Sequence, residues 1–143
     1  MAQKPNSRDR LFRAADRAKS AFDRRKGAGL RQNARTAQQQ KNWALAESLW
    51  RASLEAEPDD RSSTIGLAQV LVYNAKLDEA RALAETIVAR WPADENGPTV
   101  LARLAEEHGD EDEAVRQWRR VLELSPSRSQ ALIRLGRLMI ARS

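Results

Sequence analysis

The chain has 143 residues and a mass of 16.1 kDa, which suits one domain of ordinary size or one domain with a tail. Apolar residues make up 41% and charged residues 31%, enough for a core beneath a polar surface. With no cysteine and one histidine, His108, disulfides, zinc–thiolate sites and thiol catalysis are excluded. The sequence lacks both a run of about 18 apolar residues and an apolar leader. We therefore expect no membrane-spanning helix and a cytoplasmic location.

Charge is distributed unevenly along the chain. Residues 1–41 carry twelve Lys or Arg against three Asp, a net charge of +9. Residues 42–143 carry thirteen basic and seventeen acidic side chains, a net charge of −4. This asymmetry is typical of a basic tail that meets phosphate, an acidic protein surface or an anionic membrane, attached to a mildly acidic body.

Residues 1–26 are predicted to form a basic N-terminal arm containing a helix. Leu11, Ala15, Ala18 and Phe22 recur at helical spacing, and Gly27 and Gly29 are expected to break the helix. Basic side chains occupy its remaining surface: Arg8, Arg10, Arg13, Arg17, Lys19, Arg24 and Arg25. The arm is either a cap on the domain that follows or a contact for an acidic partner, an anionic membrane or nucleic acid. No base-reading motif or stacking aromatics accompany the charge.

Residues 27–143 contain an internal repeat. Three prolines recur every 34 residues, each after an apolar helical stretch: Pro58, Pro92 and Pro126. Twelve residues before each proline lies an alanine: Ala46, Ala80 and Ala114. Small residues at a fixed phase suit closely crossing helices, and a proline just past a helix ends it. The spacing therefore predicts a series of helical hairpins with all four tryptophans in their core. Trp43, Trp50 and Trp118 fall at helical spacing with other apolar residues, and Trp91 closes a repeat junction.

This period, with alanine and proline at these phases, resembles the tetratricopeptide repeat (TPR). In that frame the repeats span 27–60, 61–94 and 95–128, followed by a terminal helix at 129–142. The resemblance implies an all-α fold, a right-handed α-solenoid of antiparallel helix hairpins, with about seven helices plus the basic N-terminal helix. The first repeat departs most from the pattern, and Gly109 alone matches the family's inter-helix glycine, with Lys41 and Ala75 at that phase elsewhere.

The resemblance also implies a non-catalytic protein–protein interaction scaffold that needs no cofactor. In TPR proteins the first helix of each repeat lines a concave groove for a peptide or partner helix. Some TPR modules hold a C-terminal carboxylate in a Lys/Asn/Arg clamp, but the matching positions here carry Ile65 and Gln69, so we expect that clamp to be absent from the second repeat. The mixture of apolar and basic residues favours an amphipathic segment with acidic residues. The residues that the resemblance places in this groove are Arg31, Arg35, Ile65, Gln69, Val72, Tyr73, Thr99, Arg103, Glu106 and Arg137.

The terminal helix carries more apolar residues than one contact face needs. Leu132, Leu135, Leu138 and Met139 are predicted to face the preceding repeat, which leaves Ile133 and Ile140 on another face. Since a terminal repeat normally presents a polar outer face, we expect an interface here. It would be formed with another protein, with a second copy in a homo-oligomer, or with further sequence past Ser143.

Enzymatic chemistry finds little support in the sequence. No Gly-rich phosphate loop, Gly-x-Ser-x-Gly or His-Glu-x-x-His motif occurs, and His108 fits a solvated turn better than a metal site. We predict no catalytic and no metal-binding residue. One alternative is the N-terminal TPR module of a longer sulfotransferase or glycosyltransferase, by analogy alone. Another is an adaptor whose basic arm contacts nucleic acid or holds the protein at the membrane surface.

Overall fold

The computed structural model describes residues 3–142 and contains seven α-helices and no strand within that range. Consecutive helices pack as hairpins, and α7 packs on α6, so the described chain is an all-α solenoid, as the 34-residue period predicts. Among residues 3–142, none of the helices combines the length and the apolar composition that a membrane span requires. The helices are α1 (Ser7–Gln39), α2 (Trp43–Ala56), α3 (Arg61–Tyr73), α4 (Leu77–Arg90), α5 (Asn96–Glu107), α6 (Glu111–Leu124) and α7 (Ser129–Ala141).

The turns inside the three hairpins share one backbone device. Lys41, Ala75 and Gly109 each adopt a positive φ, of 59°, 58° and 72°, and they are spaced by the same 34 residues. Only glycine adopts this left-handed conformation without cost, and other residues lose about 1 kcal/mol or more. The turn geometry is therefore kept by the packing of the hairpins even where the sequence lacks the family's glycine.

The core forms along the seams between helices. The three phased alanines, Ala46, Ala80 and Ala114, are fully buried, which confirms that small residues mark the helix crossings. One cluster of buried residues spans α1 to α5 and includes Trp50 and Leu71. A second cluster lies between α5, α6 and α7 around Trp118, Val121 and Ala131. Trp91 is half-buried against the first cluster, as predicted for a repeat junction.

A buried carboxylate ties α2 to the turn between α3 and α4. Glu47 accepts hydrogen bonds from Lys76 Nζ at 2.7 Å, Asn74 Nδ2 at 2.9 Å and Arg51 Nε at 3.1 Å. Burial opposes ionisation of Glu47, yet these three donors together lower its pKa to about 2. The charged form of Glu47 therefore stabilises the fold at neutral pH.

The N-terminal helix differs from the sequence-based expectation. The predicted break at Gly27 and Gly29 does not occur, since α1 runs without interruption from Ser7 to Gln39. A glycine inside a helix costs only about 1 kcal/mol, and α1 gains packing here because Ala34 and Ala37 are buried in the first cluster. The basic helix and the first helix of the first repeat are thus one element, so the described chain has seven helices rather than eight. The division into an arm and a repeat domain at residue 26 remains a prediction.

The terminal helix packs through fewer residues than predicted. Leu135 and Leu138 contact the second cluster as expected, whereas Leu132 and Met139 are 52% and 45% exposed. Ala131 is the buried side chain of the described α7 and sets the contact face. At about 100° per residue, Leu132 and Met139 lie on the flank of that face, which corrects the expectation for these two residues.

Candidate partner-binding groove

The inner face of the solenoid is formed by the first helix of each hairpin. Helices α1, α3 and α5 contact one another more extensively than α2, α4 and α6 do, so the stack curves towards the first set. Two depressions of about 480 and 210 Å³ open on this face. They share Gln38 and Gln69 and form one groove. The first is also lined by Arg35, Trp50, Ile65 and Asn96, and the second by Trp43, Tyr73, Thr99, Arg103 and Arg128.

A chain of side-chain hydrogen bonds crosses the base of the groove. Trp50 Nε1 donates to Gln38 Oε1 at 3.0 Å, and Gln38 Nε2 donates to Gln69 Oε1 at 3.2 Å. Gln69 Nε2 donates to Asn96 Oδ1 at 3.3 Å, and Asn96 Nδ2 donates to Asp94 Oδ1 at 2.8 Å. Because each amide both donates and accepts, the chain satisfies these partly buried groups and fixes α1, α3 and α5 relative to one another.

Asp94 anchors one end of this chain. It is nearly buried and accepts hydrogen bonds from Arg61 Nε at 2.8 Å and from the Asn96 backbone amide at 2.8 Å. Burial opposes its ionisation, but the Asn96 amide and the Arg61 guanidinium outweigh that effect and lower the pKa of Asp94. Asp94 is therefore charged at neutral pH, and its charge is compensated by Arg61.

A stack of two aromatic rings and a guanidinium forms the wall of the second depression. The rings of Trp43 and Tyr73 are 3.9 Å apart at their centroids and nearly parallel, at 2°. The Arg103 guanidinium lies 4.5 Å from the Tyr73 ring centroid, within the range of a cation–π contact. These residues come from α2, α3 and α5, so the stack spans three helices and presents a flat apolar surface beside a positive charge.

Trp43 is the groove residue that sequence reasoning missed. Helical spacing assigned it to the core face of α2, together with Trp50. The structure places it at the first position of α2 and half-buried, where the chain has just left α1 and still borders the inner layer. One feature of the sequence could have indicated this placement: Trp43 directly follows the turn between α1 and α2. A residue in the first turn of a hairpin's second helix lies close to the first helices of the adjacent hairpins.

The predicted groove residues divide into two groups. Arg35, Ile65, Gln69, Tyr73, Thr99 and Arg103 line the two depressions. Val72 is only 8% exposed and belongs to the core, which corrects its placement in the groove. Arg31 is engaged with Glu57 at 2.9 Å, Glu106 pairs with Arg134 at 3.2 Å, and Arg137 lies exposed on α7; none of these three lines either depression.

Two groove cations are not neutralised by the protein. Within residues 3–142, neither Arg35 nor Arg103 has a carboxylate at ion-pair distance; their nearest described partners are the aromatic rings of Trp50 and Tyr73. Arg128, at the rim, differs because it pairs with Glu95 at 3.1 Å. The groove therefore carries positive charge that is available to a ligand.

The described residues offer no arrangement for metal chemistry. In the range 3–142, no group of three or more His, Asp or Glu side chains is placed to hold a metal ion. His108 lies at the end of α5, with Nδ1 2.9 Å from the Leu104 carbonyl oxygen, so this ring is engaged with its own helix.

Comparison with known proteins bears on the fold. Among solved structures, the Arabidopsis OM64 TPR domain superposes with a TM-score of 0.71 at 15% identity, over 78% of this chain and 93% of that one. The first TPR of Spaghetti (RPAP3), bound to an HSP90 peptide, gives 0.72 at 19% identity, over 82% and 93%. The Thermobaculum terrenum O-GlcNAc transferase gives 0.75 at 20% identity, over 82% of this chain but 22% of that enzyme. No curated protein matches the sequence.

The family itself is shown by the sequence. The tetratricopeptide repeat profile matches residues 31–95 and 99–142, most of the chain and nearly all of the solenoid. The matched ranges begin inside α1 and end with α7, in agreement with the three hairpins and the terminal helix. The chain therefore belongs to the tetratricopeptide repeat family.

Proposed function

We propose that this chain is a protein-interaction module whose groove binds an acidic, partly apolar segment of a partner protein. The observation that carries the proposal is the presence of two groove cations, Arg35 and Arg103, without a carboxylate partner in residues 3–142. Both are held above aromatic rings, which orients the guanidinium groups without neutralising them. A carboxylate of a partner would form charge-assisted hydrogen bonds there.

The apolar part of the ligand would lie on the Trp43–Tyr73 stack. Tyr73 is half-exposed although its ring is large and apolar, and large aromatic side chains of this kind commonly dominate binding energy at interfaces. The amide chain at the base of the groove keeps this surface rigid, so little ordering is needed upon binding. The Spaghetti (RPAP3) TPR domain, which has a similar fold, was solved with an HSP90 peptide bound, and this supports a peptide ligand here.

The test is a selection of peptides from a random display library with the full chain as bait. We expect enrichment of peptides that combine Asp or Glu with apolar residues. Binding of an enriched peptide, measured by fluorescence anisotropy, should weaken at least about tenfold with Arg103→Glu or Tyr73→Ala. The matched control is Arg119→Glu, the same charge change at an exposed position of α6 outside the groove.

Two outcomes would contradict this proposal. One is an enriched pool without acidic residues. The other is an acidic peptide whose affinity falls equally with Arg103→Glu and Arg119→Glu, because binding would then depend on overall charge rather than on the groove.

A second contact surface is proposed on α7. Leu132, Ile133 and Met139 are about half-exposed, and Ile140 is more exposed still, so the outer side of this helix has the apolar character of an interface. If it joins two copies, light scattering should give a dimer mass that falls to the monomer mass with Ile133→Asp and Ile140→Asp combined. A monomer mass for both proteins would contradict self-association through α7.

The enzyme-module alternative is favoured by one comparison. The chain matches part of an O-GlcNAc transferase, of which it spans 22%, and this likeness is one of fold alone. The reading frame of the gene beyond codon 143 tests the idea: a continuing glycosyltransferase or sulfotransferase domain would support it, and a stop codon would contradict it.

A further inference from the structure

The N-terminal part of α1 projects away from the solenoid. Helix α2 ends at Ala56, and Glu57 lies against Gly27 of α1. The preceding twenty residues, 7–26, therefore extend about 30 Å beyond the end of α2 at the usual helical rise. No residue in this segment is buried, so packing on the first repeat does not account for its composition.

The charge of this segment is also uncompensated. Residues 7–26 contain eight basic and three acidic side chains, a net charge of +5. All ion pairs among the described residues involve Arg31 or later basic residues. In the solenoid, by contrast, most arginines have a carboxylate partner. The positive charge of the projecting helix is thus available to an external anion.

An apolar stripe runs along the same segment. Leu11 and Phe22 are 73% and 66% exposed, and Ala15 and Ala18 complete a row with them. Phe12 is also exposed, at 69%, but lies about 100° around the helix from Leu11. At about 100° per residue, Arg13 and Arg24 lie on the opposite side of the helix from this row. Arg8 and Arg25 flank the row, at about 60° and 40° from Leu11. The segment therefore has an apolar row with basic side chains both opposite it and along its edges.

The solenoid leaves the apolar stripe accessible. Three residues of α1 are buried against the rest of the protein: Gly27, Ala34 and Ala37. Gly27 and Ala34 lie roughly 140° to 160° around the helix axis from Leu11, and Ala37 lies roughly 80° from it. If the stripe faced a flat surface, the repeat domain would be held on the far side of α1 and would not collide with that surface.

We infer that residues 7–26 bind in the plane of an anionic lipid bilayer, with Leu11 and Phe22 inserted and the basic side chains at the headgroups. A short helix with a basic polar face and Phe or Leu on the other face is suited to this interface. A second copy would bring two segments of net charge +5 together, which like-charge repulsion opposes. A nucleic-acid backbone would engage the cations but leave Leu11 and Phe22 in water. The inference concerns a surface separate from the groove, so it stands or fails independently of the proposed function.

The test is co-sedimentation of the full chain with lipid vesicles. Vesicles that contain roughly one third phosphatidylserine should bind the protein at least about tenfold more tightly than pure phosphatidylcholine vesicles. Combined Leu11→Gln and Phe22→Gln should weaken binding to the anionic vesicles at least about tenfold, because the charge is unchanged and only the apolar insertion is lost. The matched control is Leu45→Gln with Val88→Gln, the same kind of change at exposed positions of α2 and α4.

Three results would overturn the inference. Equal binding to anionic and neutral vesicles, or none to either, would exclude recognition of an anionic bilayer. Binding of the Leu11→Gln and Phe22→Gln variant within about twofold of the unmodified chain would show that the apolar stripe is not inserted. Tighter binding to a DNA duplex than to vesicles, unaffected by this variant, would assign the arm to nucleic acid. Circular dichroism of each variant confirms that α1 remains helical.

Discussion

Among the glycines of the chain, Gly66 is the one whose helix backbone is packed most tightly by a neighbouring side chain. It lies in the middle of α3, and a Cβ built there would be 2.5 Å from Cζ2 and 2.6 Å from Cδ2 of Trp50. The Trp50 ring is buried, and its indole N–H is held by Gln38 at 3.0 Å, so it cannot move aside freely. The structure therefore predicts that Gly66→Ala destabilises the protein.

Two opposing effects decide how much Gly66→Ala changes the free energy of unfolding. Alanine gains up to about 1 kcal/mol over glycine in a helix, and overpacking of a rigid core costs about 1–3 kcal/mol. The obstacle is a large ring held on several sides, so we expect the higher cost and a net loss of about 2 kcal/mol. For a domain of this size, that loss lowers the melting temperature by about 8 °C.

Gly29 in α1 provides the matched control, because no heavy atom lies within 4 Å of its added Cβ. Here only the helix-propensity gain applies, and Gly29→Ala should raise stability by about 0.5–1 kcal/mol. Urea denaturation followed by tryptophan fluorescence measures both variants. If Gly66→Ala proves as stable as Gly29→Ala, the ring of Trp50 does not rest on α3 and the tight crossing of α2 and α3 is refuted.

Three further predictions rest on single substitutions. Glu47→Gln should cost at most about 3 kcal/mol at pH 7, because the pKa of Glu47 is lowered from 4.5 to about 2. That stability is present above pH 4.5 and lost as the pH falls towards 2, so the difference between wild type and variant in urea melts should shrink over this range; a constant difference would contradict the assigned pKa. Trp50→Phe should cost about 1 kcal/mol more than Trp118→Phe, because the Trp118 indole N–H has no hydrogen-bond partner within residues 3–142; equal losses would argue against this. Ala75→Gly should stabilise the protein by up to about 1 kcal/mol and Gly109→Ala should destabilise it by a similar amount, since both have a positive φ; thermal melts that shift in the same direction would refute the turn geometry.

The repeat architecture could be predicted because it depends on local rules. A proline after a helix and an alanine at a crossing act through the backbone and through the distance between helix axes. Both effects recur at every repeat, and Ala46, Ala80 and Ala114 are all buried as expected. The 34-residue period was therefore sufficient to predict the fold without knowledge of contacts between distant residues.

The errors arose where a contact between distant residues outweighed a local preference. Glycine at positions 27 and 29 favours a break, but the packing of α1 on α2 keeps the helix continuous. The stack of Trp43 on Tyr73 depends on how two hairpins sit on each other, which helical spacing within α2 cannot report. In α7, several neighbouring apolar residues could face the preceding repeat. The structure buries Ala131, with Leu135 and Leu138 on the same side, and the sequence alone does not distinguish this side from the next.

The division of the core into two clusters has a consequence for how the protein unfolds. Helix α5 supplies Val100 and Leu104 to the first cluster and Ala102 and Ala105 to the second, so it is the shared boundary of two cooperative units. In repeat proteins each unit is stabilised mainly by its neighbours. The second unit has a neighbour on one side only among the described residues, and Ala131 is the sole buried residue of the described α7.

Helix α7 should therefore open first, and its amide hydrogens should exchange with solvent before those of α3. The amide chain from Trp50 to Asp94 couples α1, α3 and α5 within the other unit. Transient opening of the C-terminal helix would thus displace Arg128 and Gln130 from one end of the groove, while the amide chain and the Trp43–Tyr73 stack stay assembled.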